Sequence, residues 1–233
     1  CKIVQNLSLV LHILQRQQPI SRVRLARATG ISTTTITNLA TQLLDSGVVV
    51  ECGVDEGAAT PGAGRPPVAL RLARESRVAV GVHIGVRFVR VGLVDLQGNL
   101  VALRSIPHLS PLHEGDGAAR AHEMVQRIAE EIRALLLAGN DRFPHARLAG
   151  VGVGASGLVE SESGVNLLAP RLGWQNIPLR ELLVRALAEQ VHEVSGTHWG
   201  AHWGAPLRAG IGNVVVDNNV RCMALGLAAR CRQ

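Results

Sequence analysis

The segment Ile20–Gly47, ISRVRLARATGISTTTITNLATQLLDSG, decides the fold of the N-terminal part. Ser21 can cap a short helix over residues 22–29, which ends at Gly30, a residue able to adopt a left-handed turn. Ser32 can cap the next helix, which runs through Leu44. Two short helices joined by a tight turn predict a helix-turn-helix. The side chains expected to face inward are Val23, Leu25, Ala26, Ile36, Leu39, Leu43 and Leu44.

The flanking sequence extends this prediction to a complete domain. Apolar residues recur at helical spacing from Ile3 to Gln17, so a first helix precedes the helix-turn-helix. After Gly47, the strand Val48–Val50 leads into a Gly/Pro-rich loop over residues 53–67, and Val68–Leu72 returns as a second strand. We therefore expect a winged helix-turn-helix domain over residues 1–75.

Residues 76–233 alternate between strand-like and helix-like segments, which predicts a second domain of the α/β class. Residues 191–212 interrupt this order with a repeated His-Trp-Gly-Ala and are predicted to form a surface insertion. His192, His198 and His202 lie there, but the surrounding glycines disfavour a helix, so no metal site is expected. Strands are predicted at 78–86, 88–95, 100–105, 148–154 and 213–217, and helices at 118–138, 179–190 and from 220, with a loop after residue 154.

Composition narrows the class of protein. The chain has 233 residues, 47% of them hydrophobic, and a net charge of +6, so it can bury a core and favours a polyanionic partner. Residues 1–50 carry five cations and one acid, Asp45. The four cysteines show no metal or disulfide spacing, and neither a signal peptide nor a membrane segment is evident. These features predict a cytoplasmic protein.

Short polar side chains at the start of the second helix of a helix-turn-helix can reach base edges in the major groove. Three consecutive threonines lower helix propensity, so contact with DNA explains them better than intrinsic stability does. Arginines on the preceding helix, with Arg24 and Arg27 among them, can neutralise phosphates, and an arginine between Gly64 and Pro66 suits a minor groove. The candidate DNA-binding residues are Arg22, Ser32, Thr33, Thr34, Thr35, Thr37, Asn38 and Arg65.

The order of several short motifs resembles the ROK family of repressors and sugar kinases, specifically its NagC/XylR-type transcriptional regulators. The resemblance covers nearly the whole chain and is carried by Thr29-Gly30-Ile31-Ser32, Gly64-Arg65-Pro66-Pro67, Val80–Gly85, Val94–Gly98, Gly150–Val159, Ala169–Trp174 and Val214–Asn219. It implies a DNA-binding domain joined to an actin/hexokinase-like ATPase fold, of which residues 76–233 form the first lobe, the chain ending before the second. It also implies an operator, a sugar or sugar phosphate effector and a homodimer.

Two departures from the family pattern distinguish regulator from kinase. The kinases carry an Asp-x-Gly-x-Thr loop where this chain has His83–Arg87, and a catalytic aspartate where it has Asn219. An amide cannot act as the general base, so we expect no enzyme activity, no catalytic residue and no cofactor. Asn218 and Asn219 can donate and accept hydrogen bonds to sugar hydroxyls, and a purely structural turn at the end of a strand is the alternative role for them. Gly157 lies beside the sugar in the family pattern, so Gly157, Asn218 and Asn219 are the candidate sugar contacts. A carbohydrate kinase and a non-functional fragment of a regulator remain alternatives to a sugar-responsive repressor.

Overall fold

The computed structural model describes residues 2–58, 66–107, 116–139, 142–194 and 212–224. The chain divides into two compact units, residues 1–76 and residues 77–233. None of the helices in the described ranges has the length and apolarity needed to cross a bilayer.

The helices of the first unit follow the capping signals in the sequence. Helix α1 spans Lys2–Gln17, α2 spans Arg22–Thr29 and α3 spans Thr33–Asp45. Gly30 adopts a φ of 69° and its N–H donates to the carbonyl of Ala26, which ends α2. The prediction that Val23 is buried is wrong, since it is 41% exposed. Val23 lies two residues from Leu25, about 200° around a helix, and so faces away from the core.

Three strands complete the first unit. They are β1, Ile20–Ser21, β2, Val49–Val54, and β3, Val68–Leu72, in the antiparallel order β1-β3-β2. Sequence analysis predicts only β2 and β3, because two residues are too few to show an alternating pattern. The core of the unit is formed by Val10, Leu14, Ile20, Leu25, Ile36, Leu39, Leu43, Val49, Leu70 and Leu72, all of which are buried.

The second unit is built on a five-stranded sheet, which confirms the α/β class. The strands are β4, Arg77–Ile84, β5, Phe88–Asp95, β6, Leu100–Pro107, β7, Arg147–Ala155, and β11, Val214–Asn218, in the order β11-β7-β4-β5-β6. Strands β4, β7 and β11 run parallel, whereas β4, β5 and β6 form an antiparallel meander. Helices α4, Gly117–Gly139, and α5, Leu179–Val194, pack into the same core as these strands.

The segment predicted as a loop after residue 154 contains a second sheet. Strands β8, Leu158–Glu160, β9, Val165–Ala169, and β10, Trp174–Ile177, pair antiparallel in the order β10-β9-β8. These strands have three to five residues each, too short for a clear period in the sequence. The predicted insertion also begins too early, because α5 continues to Val194; residues 195–211, with His198 and His202, lie outside the described residues.

One face of the large sheet carries a row of glycines. Gly92, Gly81 and Gly152 are direct neighbours on β5, β4 and β7, and the row ends at Leu103 on β6 and Val215 on β11. Without side chains at its centre, the row forms the floor of a groove of about 530 Å³. We call this surface the glycine face.

Candidate DNA-binding surface and effector site

Helix α3 separates its apolar and polar side chains cleanly. Ile36, Leu39, Ala40 and Leu43 are buried, whereas Thr33, Thr34, Thr37 and Asn38 are exposed. The exposed positions recur at intervals of four residues and therefore share one side of the helix. Six of the predicted DNA-binding residues, Ser32 to Thr35, Thr37 and Asn38, thus come together at the N-terminal half of α3.

The polar side-chain atoms of these six residues differ in whether they already have a hydrogen-bond partner. The Ser32 hydroxyl accepts the N–H of Thr35 at 3.3 Å and lies 2.9 Å from the Thr35 hydroxyl, so these two side chains form the helix cap. The Thr37 hydroxyl donates to the Thr33 carbonyl at 2.9 Å. Among the described residues, the side chains of Thr33, Thr34 and Asn38 have no hydrogen-bond partner. These three are the side chains best able to accept a new partner.

Replacing Ser32 by alanine should lower the free energy of unfolding by about 1 kcal/mol, because the Thr35 N–H loses its acceptor. Chemical denaturation followed by circular dichroism measures this effect. Ser8→Ala on the exposed surface of α1 is the control and should change stability by less than about 0.5 kcal/mol. Equal stability of the Ser32 variant and the original protein would contradict the capping role.

Two of the three arginines of α2, Arg22 and Arg24, are paired with acids of the hairpin. Arg22 Nη2 lies 3.0 Å from Glu51 Oε1, and Arg24 Nη1 lies 2.9 Å from Asp55 Oδ1. The sequence prediction treated these arginines as cations available to phosphate, but both are already partnered. The separation of 29 and 31 residues explains why no local pattern reveals these contacts. Arg65, the other predicted cation, lies outside the described residues.

In the second unit, both the nitrogen and the oxygen of the Asn218 side-chain amide form hydrogen bonds within the protein. Its Nδ2 donates to the Gly157 carbonyl at 2.6 Å, and its Oδ1 accepts the N–H of Val220 at 2.9 Å. Residues 219–224 are helical, so Asn218 caps this helix and ties it to the turn at Gly157. Asn218 and Gly157, both predicted sugar contacts, are therefore in direct contact with each other.

Asn219 faces a small polar cluster at the end of the glycine face. Its Nδ2 donates to the Ser156 hydroxyl at 3.1 Å and lies 3.5 Å from His83 Nε2. Burial and the charge of Arg90 both lower the pKa of His83, which favours the neutral imidazole. A hydroxyl, an amide and a neutral imidazole together suit the hydroxyl groups of a polar ligand. Sequence analysis did not select Ser156 or His83 as contacts.

Asp217 is held in place at the end of β11. Its Oδ1 accepts a hydrogen bond from the Ser161 hydroxyl at 2.8 Å and from the Asn218 N–H at 2.7 Å. The pKa of Asp217 is lowered first by the hydrogen bond from Ser161, against the opposing effect of burial, and further by the Asn218 N–H and the charge of Arg221. The charged carboxylate therefore ties β11 to the turn after β8.

Asp217→Asn should destabilise the protein at neutral pH by about 1 kcal/mol, because the carboxylate loses charge-assisted hydrogen bonds. Since the folded-state pKa lies below the ordinary value of 3.8, this stabilisation is present above pH 3.8 and is lost as the pH falls through the folded pKa. Denaturation curves of both proteins from pH 7 to pH 3 test this. A difference that does not shrink on acidification would contradict the assigned role.

No group of three metal-binding side chains occurs among the residues that the structure describes. The side chain of His192 and both histidines of the repeat fall outside that description.

No family model matches the chain. Comparison with curated proteins does find relatives, among them xylose repressors. The chain is 27% identical over 238 residues to the xylose repressor of Caldicellulosiruptor bescii, covering 96% of this chain and 56% of the relative. It is 25% identical over 175 residues to the xylose repressor of Bacillus subtilis, covering 75% of this chain and 42% of the relative. The chain thus spans about half the length of these curated relatives.

The comparison with solved structures agrees at the level of the fold. A ROK family transcriptional regulator described as a homologue of the E. coli MLC protein matches 96% of this chain and 48% of its own, with a TM-score of 0.64 and 21% identity. The match to this solved structure therefore includes both units of this chain.

Proposed function

We propose that this chain, whose resemblance to ROK-family regulators of the NagC/XylR type is confirmed by its relatives and its fold, is a sugar-responsive transcriptional repressor. Its first unit would bind an operator of double-stranded DNA, and its second unit would sense a sugar or sugar phosphate. The observation that carries the proposal is a group of exposed polar side chains on α3, namely Thr33, Thr34 and Asn38, which have no hydrogen-bond partner in the part of the chain that the structure describes.

These side chains suit direct readout of base edges. An α-helix fits the major groove of B-DNA, and an asparagine there can form two hydrogen bonds with adenine, while threonine hydroxyls and methyl groups reach either phosphates or thymine. Helix α3 has 13 residues and is capped by Ser32, so its N-terminal end is well ordered for this purpose. Arg65 on the hairpin loop would add a contact to the backbone or minor groove.

The polar cluster around Asn219 supports sensing rather than catalysis. A sugar kinase needs a base that takes a proton from the sugar hydroxyl, and the Asn219 amide, which donates to Ser156, cannot do so. Hydrogen bonding to sugar hydroxyls needs no such base. Because two relatives are named xylose repressors, xylose is the first effector to test.

The proposed activity implies an oligomeric state, a location in the cell and a class of target genes. Operators recognised by helix-turn-helix proteins are usually palindromic, so we expect the protein to bind as a homodimer, with one α3 in each half-site. A repressor that binds chromosomal DNA would act in the cytoplasm, and its target genes would serve carbohydrate utilisation.

Fluorescence anisotropy with DNA from upstream of the gene tests the proposal. We expect selective binding over a scrambled sequence of equal length, a steep loss of affinity between 50 and 200 mM salt, and release by xylose or another sugar. Equal affinity for both DNAs would refute operator recognition. Transfer of phosphate from ATP to a sugar by the same preparation would support the kinase alternative instead.

A further inference from the structure

The imidazole ring of His83 lies between the backbone of a glycine and the side chain of Asn219. An added Cβ at Gly85 would lie 3.0 Å from His83 Cε1 and 3.6 Å from Nδ1, so this part of the ring packs close to the Gly85 backbone. The other ring nitrogen, Nε2, lies 3.5 Å from Asn219 Nδ2. The absence of a side chain at Gly85 therefore leaves room for the ring to turn Nε2 toward Asn219.

A second glycine brings Asn219 close to the sheet. Gly154 is the neighbour of His83 on β7, and an added Cβ there would lie 3.3 Å from Asn219 Cα. Ser156 follows the same strand, and its backbone N–H donates to the Ile84 carbonyl at 2.9 Å. The backbone therefore fixes the positions of Asn219, His83 and Ser156 relative to one another.

The two neighbours of Asn219 Nδ2 determine which way the amide group points. This nitrogen carries two hydrogens and accepts none. The Ser156 hydroxyl accepts one of them at 3.1 Å, and a neutral His83 can accept the other at Nε2. Among the described residues, no group donates to Asn219 Oδ1. With its nitrogen held by the protein, the amide presents its oxygen to a ligand as an acceptor.

His83 is the member of this cluster that can change its charge between pH 7 and pH 5. Burial and the charge of Arg90, its neighbour on β5, lower the pKa of His83, so the ring is neutral at pH 7. On β11, Asp217 has a pKa below its ordinary value and pairs with Arg221, so it stays ionised in this range. Burial raises the pKa of the Cys222 thiol, which stays protonated. Strand β7 places only a glycine beside the ring.

We propose that His83 is a positioning residue for effector recognition, which orients the Asn219 amide so that Asn219 Oδ1 accepts a hydrogen bond from a sugar hydroxyl. This inference rests on the proposed function. A protonated His83 carries a hydrogen on Nε2 that faces a hydrogen of the Asn219 amide, which favours the amide turned over with its oxygen toward the ring. The sugar hydroxyl then loses its acceptor, so the sugar binds less tightly at acidic pH.

The first experiment measures sugar affinity by calorimetry on the whole chain from pH 7 to pH 5. Its ligand is the tightest binder of a panel of neutral pentoses and hexoses that begins with xylose. We expect the affinity of the original protein to fall about 5-fold on acidification, as His83 gains a proton. His83→Leu, which has no acceptor, should bind about 10-fold less tightly at pH 7 and lose the pH dependence.

Two further variants separate hydrogen bonding from other roles of the ring. His83→Gln can place a side-chain oxygen where Nε2 lies, so it should bind the sugar within about 3-fold of the original protein at pH 7 and without pH dependence. His122→Gln, on the exposed surface of α4, is the matched control and should keep both the affinity and its pH dependence.

The second experiment observes the Asn219 side chain without sugar, by nuclear magnetic resonance. The nitrogen and proton resonances of its amide group, assigned by comparison with Asn219→Ala, should move with the titration of His83 in the original protein and stay in place in His83→Gln. If they do not follow His83, the positioning role is refuted whether or not a sugar binds.

The outcomes separate this inference from the proposed function. If no sugar of the panel binds at any pH, the sensing function fails and the role of His83 in recognition falls with it. If a sugar binds the original protein and His83→Leu equally across the pH range, sensing stands and only the role of His83 is refuted. If His83→Gln binds as weakly as His83→Leu at pH 7, the ring does not act as an acceptor, and the inference is refuted as well.

Discussion

Asn38→Ala should lower the affinity of the protein for its operator by about 10- to 100-fold and leave its affinity for random DNA nearly unchanged. The Asn38 side chain is exposed on α3 and has no hydrogen-bond partner among the described residues. A two-fold hydrogen-bonded contact with one base contributes about 1–3 kcal/mol of discrimination. Loss of this contact reduces the preference for the operator sequence and leaves the electrostatic attraction to phosphates unchanged.

Anisotropy titrations with operator and scrambled DNA at one salt concentration measure both affinities. Gln5→Ala is the matched control, since Gln5 is an exposed amide on α1 of the same unit. This control should change the operator affinity by less than about twofold. A parallel loss on both DNAs in the Asn38 variant would show that the residue contributes no base readout.

Gly157→Val should destabilise the second unit by about 3 kcal/mol or more and abolish sugar-dependent release from DNA. Gly157 has a φ of 106°, a backbone conformation that residues with a side chain rarely adopt. An added Cβ would also collide with the Leu168 carbonyl and lie 2.7 Å from Ala169 Cβ. The obstacles are atoms of strand β9, so the turn itself must move. That movement breaks the hydrogen bond from Asn218 to the Gly157 carbonyl.

Urea denaturation followed by circular dichroism measures the loss of stability. Gly152→Ala is the control, because nothing lies within 4 Å of an added Cβ there and the backbone needs no left-handed conformation. Its stability should match that of the original protein or exceed it by up to about 1 kcal/mol. If both variants have the same stability, the close packing at Gly157 has no energetic consequence.

The sequence predicted the three helices of the first unit to within one residue at each end, because their signals are local. It was less accurate for the strand predicted at Val48–Val50, which spans Val49–Val54. Ser21, Gly30 and Ser32 mark helix ends through hydrogen bonds that span three or four residues. The exposed position of Thr33, Thr34 and Asn38 follows from the helical period. Strand β1 escaped prediction because a two-residue strand is defined only by its partner β3.

The features that could not be predicted depend on contacts between distant residues. The pairing of Arg24 with Asp55 spans 31 residues, and the contact of Asn219 with Ser156 spans 63. The same limit applies to Asn218, where the motif predicts a sugar contact and the structure shows a cap bound to the Gly157 turn. A polar residue in a motif can thus serve the fold, the ligand or both, and only its partners distinguish these roles.

The glycine face also determines how the stability of this protein can be measured. Leu100, Leu103, Val215 and Met223 line its groove, and each is more than half exposed. A contiguous apolar surface of this kind adsorbs environment-sensitive fluorophores even when the polypeptide is native. Dye-based melting assays would therefore start from a bright baseline and report a shallow or inverted transition, whereas ellipticity would follow the same unfolding without interference.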